Sequence, residues 1–262
     1  MEVDQLVTNG LPEGRGLDLG CGDGLLTRIV LQAAGPREMI GIDPDPAEAA
    51  QARQLGIYSA VHAVGGDSVP ERDAGFDWVL SNSVLEHIEQ IEPVLAEVAR
   101  LLRPNGKFVF AVPGPEFHAC LRGPLVRWTS RSDYLRDLDD RLAHRRYWGP
   151  AEWQSALAPH GLHVVSGVGY LDVAQTQRWE SISRVTAGVL YGLVARRRQP
   201  IEIQRGLGLR KPGRRMPLRL ARMVASLLSA GLNGSPEASS FGGPRKFGCY
   251  LITAVKSESV AA

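Results

Sequence analysis

Residues 17–24 read LDLGCGDG, an apolar run ending in glycines at alternate positions, Gly20, Gly22 and Gly24. Such a turn at the end of a strand brings backbone close to a bound small molecule, and in open α/β sheets ligands sit beyond the carboxyl ends of the strands. The acids around the turn bear on which molecule it is. A dinucleotide would place a pyrophosphate at the start of the following helix, where N–H groups and the helix dipole favour an anion. Asp18 and Asp23 bracket that place, and two carboxylates repel a pyrophosphate. S-adenosylmethionine carries a sulfonium and an ammonium and no phosphate, so the same acids suit it. The spacing is GxGxG, not the dinucleotide fingerprint GxGxxG. Asp43 ends the next apolar run, where a carboxylate accepts from the ribose hydroxyls of either cofactor.

A methyl group leaving a sulfonium needs a nucleophile held in line, and a hydroxyl nucleophile must also lose its proton, usually to a positioned His, Glu or Asp. The chain has six histidines. His160 and His163 flank Gly161 at a helix end, which suits a cation, and His62 lies far from the expected acceptor side. His87 and His118 follow the fourth and fifth strands at the ligand edge of the sheet, His144 closes the cap segment, and the three are the candidate bases. Asp133, Asp137, Asp139 and Asp140 lack a paired His or Asn at ligand spacing, so they read as a solvated helix face and no metal site is expected.

The elements that must position these residues alternate. Strands are expected at 15–20, 39–43, 58–63, 76–82, 107–112, 162–170 and 249–255. Helices are expected at 24–34, from the Asp45 cap to Gly56, at 93–102 and at 150–160. Repeated strand–helix alternation implies a parallel sheet with helices on both faces. Residues 113–149 interrupt the rhythm and read as a partly helical cap.

LDLGCGDG, GIDPD at 41–45, GGD at 65–67, FDWVLSNSVLEHI at 76–88 and LRPNGKFVFAVP at 102–113 together resemble class I S-adenosylmethionine-dependent methyltransferases. YWGPAEW at 147–153, followed by GLHVV, resembles that family's next helix and strand. The resemblance implies a Rossmann-like, doubly wound α/β fold: a mostly parallel seven-stranded sheet with an antiparallel last strand and a helical cap or insertion. It also implies roles. Asp18, Gly20, Cys21 and Gly22 would face the methionine moiety, Asp43 would hold the ribose, and Ile42 and Pro44 would flank ribose and adenine. Asp67 would accept the adenine amino group with Ser68 supplying a backbone donor, and Ser81 and Asn82 would lie under the sulfonium. SNSVLEH stands where base N-methylating relatives carry an Asn-Pro-Pro-aromatic run, which disfavours nucleic-acid bases as acceptors.

The four units implied are a cofactor-binding core at 1–113, a cap at 114–149, the rest of the sheet domain at 150–170 and 248–257, and a basic helical insertion at 171–247 that acts as a lid. Residues 178–232 hold twelve Arg and Lys against Glu180 and Glu202, with apolar helical segments around them. A lid packed on the core, an anionic membrane surface or a lipid-linked substrate each fit that composition. Sparse aromatics argue against single-stranded nucleic acid. The chain has 262 residues and three scattered cysteines, so no disulfide framework and a cytoplasmic location are expected. The function expected is methylation of a small-molecule hydroxyl, on a sugar, natural product or lipid-linked glycan intermediate. N-methylation of a small amine and a non-catalytic cofactor-binding scaffold are the alternatives, and nicotinamide chemistry comes third.

Overall fold

A computed structural model describes residues 2–125, 128–184 and 245–258. The basic and apolar runs expected across 185–232 lie outside the described residues. Seven strands form one sheet: β1 Gly16–Leu19, β2 Met39–Ile42, β3 Ala60–His62, β4 Phe76–Asn82, β5 Leu102–Pro113, β6 Leu162–Asp172 and β7 Phe247–Lys256. Their order is β3-β2-β1-β4-β5-β7-β6. All neighbours are parallel except β7, which runs antiparallel to both β5 and β6, with Phe110 opposite Ile252. The expected doubly wound fold is therefore the one formed.

The sheet is sandwiched because its central strands are apolar on both faces, as parallel strands covered by helices must be. In β5, Phe108, Phe110 and Val112 join one core cluster while Val109 and Ala111 join the other, the period of two that a pleated strand imposes. On the first face, α4 Glu92–Leu101 supplies Val94, Leu95 and Val98, and α7 Pro150–Leu157 supplies Trp153 and Leu157. On the other face α2 Leu25–Ala34 contributes Val30 and Leu31. Leu6 packs there too, from α1 Glu2–Thr8, a two-turn helix that the sequence pattern did not reveal because it is short and buries only Gln5 and Leu6 deeply. Helix α3 Pro46–Gln54 starts as expected: Asp45 accepts from Ala47 N at 2.8 Å, and Pro46 occupies the first turn.

The cap contains α5 Phe117–Cys120 and α6 Arg131–Leu142. Beyond β6 the chain enters α8 Val173–Ser183, opened by a capping box between Asp172 and Gln175. Glu180 of α8 is 1 % exposed and ties the cap to this helix. It accepts from Arg122 N at 2.8 Å, Gly123 N at 3.2 Å and the Tyr134 hydroxyl at 2.5 Å. Among the described residues no helix is long and apolar enough to cross a membrane.

Candidate functional site

Strand order reverses between β1 and β4, and the chain leaves both strands at the same edge of the sheet, the place where such folds bind ligands. The glycine turn follows β1. Gly20 has φ +77°, and a Cβ there would lie 2.4 Å from Val84, so only glycine lets this turn pass the loop after β4. Gly22, at φ +53°, donates its N–H to Asp43 Oδ2 at 2.9 Å. Asp43 Oδ1 accepts from Asp45 N at 2.8 Å. Burial raises the Asp43 carboxyl above its ordinary range, with these two hydrogen bonds opposing the shift.

Two cavities meet over this turn. A smaller one of about 310 Å³ is lined by Leu19, Ile42, Gly65, Gly66, Asp67 and Val94 among others. A larger one of about 1000 Å³ begins at Gly20, Gly22 and Asp43 and ends among Phe117, His87, His144, Tyr170 and Trp179. Gly20, Pro44, Val84 and Ile88 line both, so the two lie side by side. A third cavity of about 950 Å³, around Arg15, Arg37 and Arg103, lies by the residues that begin β1. Its arginines are paired with Glu71, Glu13 and Asp77.

The other expected cofactor residues fall in distinct places. Asp18 is 3 % exposed and lines neither cavity. Its Oδ2 accepts from Thr27 Oγ1 at 2.5 Å and from the Tyr58 hydroxyl at 2.6 Å, and burial raises its pKa. The carboxylate thus pins β1 to α2 and to the segment before β3. Asp23 accepts from Leu25 N at 3.1 Å at the start of α2. The Cys21 side chain packs with Ala49, Ala52 and Val61, and burial pushes its thiol pKa up. Ser68 is exposed beside Asp67. Ser81 Oγ and Asn82 Oδ1 are buried at the end of β4 with no hydrogen-bond partner among the described residues. Ser83 and Val84, the next two residues, reach the larger cavity.

The three candidate histidines are brought together from separate elements. The rings of His87 and His144 lie 5.3 Å apart, and His118 and His144 both lie against Tyr147. His87 Nδ1 is 3.1 Å from the carbonyl oxygen of Ala143, an acceptor, so this nitrogen carries the proton. His144 Nδ1 donates to the Tyr147 hydroxyl at 3.0 Å, and that hydroxyl donates to Asp139. Asp139 also accepts from His118 Nε2 at 2.8 Å. Burial, and then the neighbouring His87, lower the His144 pKa to about 4. His87 and His144 line the larger cavity, whereas His118 stands behind them. Asp139 is thus not one of a row of solvated acids: it is the anchor of this network, because the helix turns it inward toward His118 and Tyr147.

Three further residues complete the site. Glu86 is 2 % exposed and lines the cavity. Arg146 clamps the loop after β4, donating to the carbonyls of Leu85 and Ile88 at 2.5 Å each. Tyr147 links two of the histidines. Only the adjacency of Glu86 to His87, and of Arg146 and Tyr147 to His144, hinted at them in the sequence.

With this geometry in place, comparisons with known proteins are informative. A family profile described as "Methyltransferase domain" matches residues 2–167. The ubiquinone biosynthesis O-methyltransferase of Rhizobium etli is 26 % identical over 192 residues, covering 70 % of this chain and 73 % of that protein. The malonyl-[acyl-carrier protein] O-methyltransferase of Halorhodospira halophila is 30 % identical over 152 residues, 52 % of this chain and 49 % of that one. Among solved structures, an S-adenosylmethionine-dependent methyltransferase from Thermotoga maritima superposes with a TM-score of 0.56 at 16 % identity, covering 98 % of this chain and 87 % of that chain.

Proposed function

The chain belongs to this methyltransferase family and is an S-adenosylmethionine-dependent enzyme, and we propose that it methylates a hydroxyl of a small molecule with an apolar or aromatic body. The observation that carries the proposal is the continuity of the larger cavity, which joins Gly20, Gly22 and Asp43 at one end to His87 and His144 at the other.

The residues present fit the cofactor. The turn at Gly20 leaves no room for a side chain. Asp43 is held by two backbone N–H groups, with the remaining lone pairs of its carboxylate available to a diol. The smaller cavity, with Gly65, Gly66 and the exposed Asp67, suits a flat base with an amino edge. Bound there, S-adenosylmethionine supplies an electrophilic methyl group that is activated before it arrives. Asp18, Cys21, Ser81 and Asn82 would then support the turn and strand end rather than form its walls, and Ser68 would stand exposed beside Asp67.

What remains for the chain is to orient the acceptor, exclude water and take up a proton. Phe117, Leu171 and Trp179 give the acceptor end an apolar lining, which favours a ring or acyl body over a bare sugar. His144, held neutral at pH 7, and His87, with its Nδ1 proton on a carbonyl, present basic nitrogens to that end. His118 acts through Asp139 and Tyr147 as a positioning residue. The relatives named for O-methylation support oxygen over nitrogen as the acceptor atom. The insertion at 171–247, described as far as Arg184 and again from Arg245, is proposed as the lid. A membrane surface or lipid-linked acceptor is proposed as the contact of its basic residues, on their composition.

Incubation with hydroxylated and amino-bearing aromatic acceptors, followed by mass spectrometry of the methylated product, tests the reading. Methyl groups on oxygen are expected, with His87→Ala lowering kcat by about 100-fold or more. Transfer to nitrogen alone, or a kcat for His87→Ala within a few-fold of wild type, would remove the assignment.

A further inference from the structure

We propose that Glu86, His87 and His144 form a binding site for one divalent transition-metal ion, open to the acceptor end of the cavity. Among the described residues these three side chains each offer a ligand atom, all within 4.8 Å of one another. His87 Nε2 lies 4.0 Å from Glu86 Oε1. All three residues line the larger cavity. No metal was expected from the acids at 133–140, and Glu86 and His87 give no ligand spacing with His144, which is 57 positions beyond His87.

The outer partners make this cluster more than a coincidence of residue types. His87 gives its Nδ1 proton to a backbone carbonyl, and His144 gives its own to Tyr147, which is anchored on Asp139. Both rings are therefore held in the tautomer that leaves Nε2 with a free lone pair. Metal-bound imidazoles are oriented in this way, with the second nitrogen tied to a carbonyl or a carboxylate-linked group. Two imidazoles and one carboxylate match Zn²⁺, Mn²⁺, Fe²⁺ or Co²⁺ better than Ca²⁺, which prefers oxygen ligands throughout. Bonds of about 2.1 Å place ligands roughly 3–3.5 Å apart, so binding draws the cluster together by about 1 Å. His87, with a side chain 39 % exposed, has the freedom to make that adjustment.

Three protein ligands leave positions for an acceptor oxygen. This step rests on the hydroxyl-methylating reading above. An ion there lowers the pKa of a hydroxyl bound to it. The O–H proton passes to water in the cavity, and the O–C bond forms as the S–C bond of the sulfonium breaks. With the ion bound, His87 and His144 act on the acceptor proton through it, in place of the direct proton uptake open to their nitrogens without it.

The test uses the full chain, stripped with chelator and titrated with Co²⁺, with visible d–d absorption and calorimetry as readouts. One Co²⁺ per chain is expected, with each of His87→Ala and His144→Ala weakening binding at least about tenfold. The double variant should lose the absorption bands, while His160→Ala, which breaks a surface pair with Glu92, should keep them. Glu86→Gln adds a third ligand change if it folds. Absence of a saturable Co²⁺ spectrum, or its persistence in the double variant, overturns the site. Hydroxyl methylation that survives chelator with no Co²⁺ bound overturns the ion and leaves O-methylation standing. Co²⁺ binding with no methylation of any hydroxyl keeps the ion and overturns the reading of the acceptor.

Discussion

At the glycine turn, the groups that shape the cavity come from neighbouring stretches of chain. Gly22 reaches Asp43 across 21 positions, within one strand–helix–strand unit. At the histidine cluster, His87 meets Ala143 across 56 positions, Arg146 meets Leu85 across 61, and Glu180 of α8 meets Tyr134 and Gly123 of the cap across 46 and 57. The first region is fixed chiefly by backbone geometry, a glycine at positive φ and a strand-end acid, with Val84 of the loop after β4 closing on Gly20. The second is fixed by side chains from the loop after β4, from α5 and α6 and from α8, which converge only after the sheet has formed. A cofactor end built locally can serve many acceptors, and an acceptor end built by convergence can change without disturbing it.

The largest effect should come from forcing a side chain into the turn. Gly20→Ala adds a Cβ at positive φ against Val84. Strain and overlap of about 3 kcal/mol should weaken S-adenosylhomocysteine binding on the order of 100-fold. Calorimetry reads it, and unchanged affinity would remove close backbone approach from the account. Tyr147→Phe should act on the other region alone. It deletes the hydroxyl between His144 and Asp139 and should lower kcat about tenfold, with cofactor affinity unaltered. A loss of cofactor affinity in that variant would show that the two ends are coupled.

The smallest effect should come from Asp18→Asn, and set against Asp18→Ala it separates charge from shape. The folded pKa of Asp18 is raised above 3.8, chiefly by burial. The folded protein therefore keeps this proton to higher pH than the unfolded chain does. Below about 3.8 both states are protonated and the group makes no difference. As pH rises from there through the folded pKa, the unfolded state is increasingly favoured. Asp18→Asn keeps an acceptor for Thr27 and Tyr58 and removes that pH dependence, so its Tm at pH 7 should match or exceed that of the wild type. Asp18→Ala strands two buried hydroxyls and should cost about 1–3 kcal/mol for each, measured by denaturant unfolding. If cofactor affinity falls in the alanine variant but not in Asp18→Asn, the acid serves the turn through its shape.

Much of the frame was legible in the amino-acid order. All seven strands, the Asp45 cap and the antiparallel last strand follow from periodicity, turn residues and the resemblance of LDLGCGDG and its companion blocks. The positions of individual acids were not. The resemblance implied that Asp18 and Cys21 face the methionine moiety, whereas the Asp18 carboxylate bonds to Thr27 of α2 and to Tyr58, and Cys21 packs against Ala49 and Ala52 of α3. Asp139 read as solvated because no His or Asn stands beside it at ligand spacing, yet one face of α6 turns inward to His118 and Tyr147. Glu86 drew no notice beside His87.

The sequence by itself determined the backbone path: where strands run, where the chain must turn through glycine, and which edge of the sheet meets the cofactor. These depend on short-range sterics and on the burial period of two or 3.6 residues, both readable along the chain. Only the tertiary structure decided which side chains meet at the acceptor end, because the distances there are set by how the cap and α8 dock on the sheet. Glu86, His87, His118, Asp139, His144 and Tyr147 come together through that docking, and no local rule of spacing links residues up to 61 positions apart.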